Sequence, residues 1–456
     1  MNSLIPSILS FLSIFLLICF SWVTSAHTHE DFLQCLYNKN SNSISKVIYT
    51  PINSSYPSVL QFSIRNLRFN TTATPKPLVI VTPVNVSQIQ DSVICSKKTG
   101  LQIRVRSGGH DFEGLSYVSM SPFVLVDLIN SRTINVDVSP TVGVGGHISG
   151  GGSGMILRKF GLAADHITDA VLVDAEGRIH DRKSMGEDLF WAIRGGGGNT
   201  FGIVVAWKIN LVPVPPTVTG FNVSRTLEQN ATKLVHRWQY VSNKLQNRYF
   251  HQNFPKESRR ASFIDARDFS SIDCIEMSWI ESVLYFAGFP SNTSLDVLLD
   301  RTPTSDAFYK IKSDYVKEPL PEIALEGIWK RMDQLEMDEI SESSLSFPHR
   351  AGIIYQIEYL VLVEEESSEA SRRYISWIRS LLDYMTPYVS KNPRQVYVNY
   401  RDLDLGINNL AGNTSYKSKH LADIQNNFDR LVRVKSAVDP GNFFRHERSI
   451  LSLSSW

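Results

Sequence analysis

Between residues 77 and 216, short apolar runs alternate with amphipathic stretches, as strands and helices would in turn. Leu78-Val-Ile-Val81 reads as a buried strand, and Ser87–Lys98 as a helix opened by a serine cap. Leu101–Val105 and Phe123–Leu128 are two further strands. A hairpin is predicted at Ala170–Asp174 and Arg178–His180, turning at Ala175-Glu-Gly177. Asp188–Ile193 is a helical turn that runs into Gly195–Gly198 and the apolar strand Phe201–Ile209. Pro213, Pro215 and Pro216 then mark a domain boundary. Beyond it, strands (Glu276–Phe286, Ile353–Val363) mix with helices (Thr226–Leu245, Glu366–Met385), and the remainder returns to loop and helix.

The apolar stretch Leu4–Phe20 is too short and interrupted for a membrane anchor, and Thr24-Ser-Ala26 puts small residues before a cut after Ala26. It is a signal-peptide pattern, with secretion to the extracellular space or cell wall as its consequence. Seven N-x-Ser/Thr sequons, at Asn53, Asn70, Asn85, Asn222, Asn230, Asn292 and Asn413, are then candidate glycan sites. Cys35, Cys95 and Cys274 remain after cleavage, an odd number that implies one disulfide and one leftover thiol in an oxidising compartment. Cys274 lies in an apolar strand-like run and reads as core, which pairs Cys35 with Cys95; two free buried thiols are the alternative. Net charge is +1, from 46 basic and 45 acidic residues spread along the chain, with no basic stripe for nucleic acid and no polybasic membrane patch.

Seven of the twelve residues in Gly143–Gly154 are glycine. Neither this stretch nor Gly195–Gly198 fits G-x-G-x-x-G, and the P-loop, serine-hydrolase, HExxH and CxxC signatures are absent. The residues instead suggest backbone that approaches something extended, with successive N–H groups free to form a nest for a pyrophosphate. Arg106-Ser-Gly-Gly-His110 directly follows a strand and offers a similar phosphate loop. On pattern alone His110 is an ordinary loop histidine.

Five segments in order change that reading. Ser107–Tyr117, Pro140–Gly152, Met185–Gly198, Val398–Gly406 and Val438–Phe444 closely resemble the plant berberine bridge enzyme-like flavoproteins, of vanillyl-alcohol oxidase-type FAD fold. The resemblance runs from about residue 31 to 450. It implies an α+β protein: a two-lobed FAD-binding domain enclosing an α+β substrate domain with an antiparallel sheet. The domains would be 27–215 for the first part of the FAD domain, 216–390 for the substrate domain and 391–456 for a segment completing the FAD site. It also implies FAD bonded covalently to His110, and supports the Cys35–Cys95 bridge. Implied cofactor contacts are Arg106, Ser107, Gly108, Gly109, His110, Gly143, Gly145, Gly146, His147, Gly150, Gly152, Ile203, Asn399 and Tyr400. His147 would reach the ribityl chain or the region of the second flavin link.

Departures from the family's pattern are equally specific. Ser139 replaces the cysteine of the second flavin link, so that link is absent, and Ser153 replaces an active-site tyrosine. Residues are missing between Asn135-Val-Asp and the glycine stretch, before Arg260, between Leu335 and Glu339, and around Lys417–Gln425.

Alcohol oxidation by a flavin needs a base for the hydroxyl proton. Tyr400 matches a family active-site tyrosine. Strand alternation puts Gln356 and Glu358 on one face, and Tyr355, Ile357 and Tyr359 on the other. Glu358 is the expected base, with Tyr400 assisting; a solvated strand glutamate is the plainer alternative. The expected partners are a small-molecule substrate and O2, for a monomer without a metal site; Asp174, Asp181 and Asp188 read as turn and cap residues. A flavin-poor binding protein or truncated gene product is the competing reading.

Overall fold

The computed structural model describes residues 28–39, 44–131, 143–197, 199–221, 223–244, 254–256, 260–263, 274–300, 307–333, 353–363, 368–391, 394–408 and 427–455. The signal-peptide pattern, Ser139, Asn222, Asn413 and all four shortened places (after Asn135-Val-Asp, before Arg260, around 335–339 and around 417–425) lie outside these residues.

The first sheet contains β1 (Ile48–Tyr49), β2 (Val79–Val81), β3 (Gln102–Arg106) and β4 (Phe123–Asp127), in the order β1-β2-β4-β3. β2 and β3 both run parallel to β4, and β1 closes one edge antiparallel. Parallel strands are covered on both faces, which explains the unbroken apolar runs at β2 and β4. The intervening helix is Val86–Thr99, capped by Asn85 rather than by a serine: the Asn85 side chain accepts from Gln88 N at 3.0 Å. A disulfide joins Cys95 of this helix to Cys35 in the helix over 28–39.

The second sheet, β5 (Ile167–Val173), β6 (Ile179–His180) and β7 (Ile203–Ile209), is antiparallel in the order β6-β5-β7. Asp174 holds the predicted hairpin, accepting from Glu176 N and Arg178 N at 2.9 Å each, and from the Arg178 and His180 side chains. Asp181 caps the helix Arg182–Ala192, longer than the turn expected there. Asp188 pairs at the surface with Arg430.

Further strands are β8 (Thr217–Phe221), β9 (Val223–Thr226), β10 (Phe254–Lys256), β11 (Arg260–Phe263), β12 (Cys274–Ser278), β13 (Phe308–Val316) and β14 (Tyr355–Val363). They pair antiparallel as β8 with β12, β9-β11-β10, and β13 with β14. The expected strand Glu276–Phe286 is corrected: β12 ends at Ser278 and Trp279–Phe286 is a helix. Ser278 and Glu281 form a capping box, each side chain bonding the other's backbone N–H. Cys274 is also corrected, because it is exposed on β12 rather than in a core. The helix expected at Thr226–Leu245 is Ala231–Val241, and that at Glu366–Met385 is Ser368–Met385.

Trp238, Leu320, Tyr355, Ile378 and Met385 share one core in this middle region. The tail belongs elsewhere. Its helix Phe428–Val438 places Phe428, Leu431 and Val432 against Ile167, Leu189 and Phe190, while Phe444 packs with Ile89 and Val173. Lys435 fastens the join: its buried ammonium donates to Thr200 O, Asp439 and Phe444 O at 2.6, 2.6 and 2.7 Å. Of the sequons described, Asn53, Asn85, Asn230 and Asn292 are exposed and Asn70 is half-buried. No helix among the described residues is long and apolar enough to cross a membrane.

Candidate active site

β3 delivers the Arg106–His110 segment, and the Arg106 side chain is engaged within the protein. Its guanidinium is fully buried, donating to Asp127 at 2.6 and 3.2 Å and to the carbonyls of Leu60 and Val59. Its guanidinium is thus committed within the protein, which leaves the backbone of Arg106 as the part that could meet a cofactor. An arginine beside a glycine loop resembles a phosphate ligand, yet a buried guanidinium must be paired, and Asp127 at the end of the adjacent β4 does this. Gly109 has φ +74°, and a Cβ there would stand 2.0 Å from Ser63 O, so its lack of a side chain is needed within the protein. His110 is half-buried at the loop's end. Asp111 fixes the turn beyond it, accepting from Glu113 N and Leu115 N at 3.0 and 2.9 Å.

The glycine stretch is not an open nest throughout. Val144–Ser149 is a short helix, and its glycines let it press on neighbours. A Cβ at Gly143 would lie 2.3 Å from Ser107 Oγ and 2.5 Å from Gly108 N; one at Gly145 would lie 3.2 Å from Ser107 Oγ. At Gly150 it would strike the Asn399 amide at 1.9 Å, and at Gly152 the Ala163 Cβ at 2.6 Å. Gly146 differs: it is exposed, with nothing within 4 Å. His147 lies on the same helix, and burial lowers its pKa below the ordinary imidazole value. Its carbonyl accepts from Asn399 Nδ2 at 3.3 Å, and Asn399 also donates to Tyr397 Oη at 3.1 Å. The Ile203 side chain packs in the core beside Val173 and Ile103, which leaves only its backbone for a cofactor.

Tyr400 closes a one-turn helix, Val398–Tyr400, and stacks on Phe112 with ring centroids 5.2 Å apart and planes at 25°. Tyr309 meets Phe112 edge-on at 6.2 Å, and Tyr397 meets Tyr400 edge-on at 5.0 Å. The loop after His110 thus shares one aromatic cluster with the tail and with β13. Sequence reasoning missed Phe112 and Tyr309, because nothing in the local pattern joins residues so far apart.

Tyr309 and Ser313 lie on one face of β13, and Ser313 stands opposite Glu358 of β14. Ser313 Oγ donates to Tyr400 O at 3.4 Å, bringing Glu358 and Tyr400 to either side of one serine. Burial alone pushes the Glu358 carboxyl up to about 8. It is not a solvated strand residue. Gln356, two positions before it on the same face, is 1% exposed, and neither amide atom has a hydrogen-bond partner among the described residues.

These residues fit a flavin. Gly146 leaves open space on the helix that carries His147, and that helix packs through Gly143 and Gly145 on Ser107–Gly108 of the loop leading to His110. The unsatisfied Gln356 amide suits a polar substrate beside it. Among the described residues no acidic, histidine or cysteine cluster could hold a metal.

Residues 396–451 match the family described as Berberine and berberine like. The chain is 45% identical to tetrahydroberberine oxidase of Berberis wilsoniae, over 95% of this chain and 96% of that protein. The aligned stretch is 518 positions against this chain's 456 residues, so the relative carries internal residues that this chain lacks. A berberine bridge enzyme-like protein of Arabidopsis thaliana superposes with TM-score 0.84 at 38% identity, covering 93% of this chain and all of the other. The grass pollen protein Phl p 4, a glucose dehydrogenase, gives TM-score 0.84 at 36% identity, over 93% and 99% of the two chains. Matched nearly end to end in sequence and in α+β fold, the chain belongs to the berberine bridge enzyme-like family of FAD-linked oxidoreductases.

Proposed function

We propose that the protein is a secreted oxidoreductase that oxidises an alcohol of a small carbohydrate, monolignol or specialised metabolite, with its flavin bonded through His110 alone. The Glu358 carboxyl carries this reading: it is withdrawn from water, shares a strand face with Gln356, and lies across Ser313 from Tyr400. When bound, FAD supplies a hydride acceptor and, in an oxidase, passes the electrons to O2 as hydrogen peroxide. Ser107, Gly108, Gly143, Gly145 and Gly146 would hold its pyrophosphate, with His147 and Asn399 near the ribityl chain.

Glu358 takes the hydroxyl proton as hydride leaves the carbon, and Tyr400 orients the hydroxyl with its phenol. The Gln356 amide donates to and accepts from the substrate, because a buried amide without partners is costly until a polar ligand arrives. The Cys35–Cys95 disulfide and the exposed sequons support an oxidising, secretory setting and a glycosylated chain. The separate core of the middle region and the tail's packing on the first part support the proposed domain division.

The test is colour. Purified protein whose flavin absorbance survives acid precipitation, with FAD mass on the peptide containing His110, is expected. A folded, colourless protein would instead favour a flavin-poor binding protein, a reading supported by the tight Gly143–Ser107 approach and the shortened chain.

A further inference from the structure

Behind the aromatic cluster lies a buried charge network that the proposed chemistry does not use. Strand alternation turns Lys310 and Lys312 away from the face of Tyr309 and Ser313. Both are almost wholly buried: Lys310 is 3% and Lys312 1% exposed. Lys310 Nζ donates to Glu113, and to Asp402 Oδ1 at 2.5 Å. Lys312 Nζ donates to Asp402 and, at 2.6 Å, to Asp404, whose other ties are to Arg379 at 2.7 and 2.8 Å.

The places of the two carboxylates held by Lys310 are what matter. Glu113 follows Phe112 directly, and Asp402 lies two residues after Tyr400. We propose that Lys310 is a positioning residue: one ammonium grips the two chain segments that carry the Phe112–Tyr400 stack, and so sets where the Tyr400 phenol stands.

Three further observations bear on this. Tyr309, the residue before Lys310, meets Phe112 edge-on, so the strand that supplies the ammonium also supplies the stack's side wall. The Asn66 side chain ties the Phe112 loop to β13, donating to Tyr309 O and Phe112 O at 2.9 and 3.2 Å and accepting from Tyr309 N, so the strand that carries Lys310 is fixed against that loop independently. Buried ion pairs add little net stability, yet they select one arrangement, because every misplacement leaves a charge unpaired in a medium of low dielectric. Phe112 is half-buried and on a loop, and would otherwise be free to swing off Tyr400.

The inference rests on the proposed role of Tyr400, but its test does not need turnover. The variant is Lys310→Met with Glu113→Gln, which removes one charge of each sign and leaves Asp402 with Lys312. This balanced pair avoids stranding a buried carboxylate, the fault that would endanger folding in Lys310→Met alone. The full chain, labelled with 3-fluorotyrosine, is read by fluorine NMR, with Tyr400 assigned by loss of its signal in Tyr400→Phe. The Tyr400 signal is expected to move from its wild-type position towards that in Phe112→Leu, where the ring current of the stack is gone. In the enzyme, kcat is expected to fall about tenfold with KM little changed, and adding Phe112→Leu should cost nothing more. A folded variant whose Tyr400 signal stays at the wild-type position overturns the proposal, as does a kcat loss that multiplies with that of Phe112→Leu. If the signal moves while the wild type reduces its flavin with no alcohol, the positioning stands and the oxidation reading fails.

Discussion

Ser313 stands directly opposite Glu358 in the β13–β14 ladder, and its hydroxyl lies 3.4 Å from the carbonyl of Tyr400. A strand residue of the middle region that pairs with Glu358 thereby also holds the backbone of Tyr400 in the tail, without itself needing to react.

Glu358→Gln is expected to keep the flavin spectrum and abolish reduction by substrate, measured anaerobically by stopped flow. In the wild type, reduction should rise with pH around a midpoint near 8, since the base acts only when ionised. Stability should run the other way. The carboxyl's ordinary value is 4.5 and its folded value about 8, so between these the folded state keeps a proton that the unfolded state has lost. Stability from this group therefore falls across that window, levels off above it, and becomes flat in Glu358→Gln. Unchanged turnover in the variant would remove Glu358 from the mechanism.

His110→Ala is expected to leave a folded protein whose FAD, if retained, is released by acid precipitation. Absorbance of pellet and supernatant decides this. Colour that stays with the pellet would mean that the covalent bond lies elsewhere.

Arg106→Met should act on stability rather than on cofactor affinity. It strands the buried Asp127 carboxylate, a fault worth about 3–5 kcal/mol, and thermal unfolding should show a large loss. Arg106→Met with Asp127→Asn should recover part of it. A normal melting temperature with weakened FAD binding would instead make Arg106 a cofactor ligand.

Gln356→Leu separates packing from recognition. Replacing a buried amide that has no protein partner with an apolar side chain of similar size should hold or raise the melting temperature, while KM for substrate rises. A lower melting temperature with KM unchanged would make Gln356 structural.

Much of the frame was legible in the sequence. The apolar runs at β2 and β4 could only be strands covered on both faces, and the Asp174 hairpin carries its turn residues in order. Ser278-Trp-Ile-Glu281 was an equally local signal, a capping box that should have turned the expected strand into the helix Trp279–Phe286. Other features could not be read locally. Glycine disfavours helix, so nothing local announces the Val144–Ser149 turn, whose flanking Gly143 and Gly150 press on Ser107, Gly108 and Asn399 from distant segments. Arg106 needed Asp127, which only the parallel pairing of β3 and β4 brings alongside. The Lys310 network joins residues 197 and 92 positions away, a distance over which no pattern in the chain is informative.

The attachment of the tail has a consequence for biogenesis. Phe428, Leu431, Phe444 and the Lys435 ammonium fill and fasten a core whose other walls come from residues 89 to 207. A ribosome delivers those walls long before it delivers what fills them. The first lobe must therefore wait, with apolar surface uncovered, until nearly the whole chain has been synthesised. A premature stop that removed only the final helix would leave most of the reactive residues in place but no finished lobe to hold them.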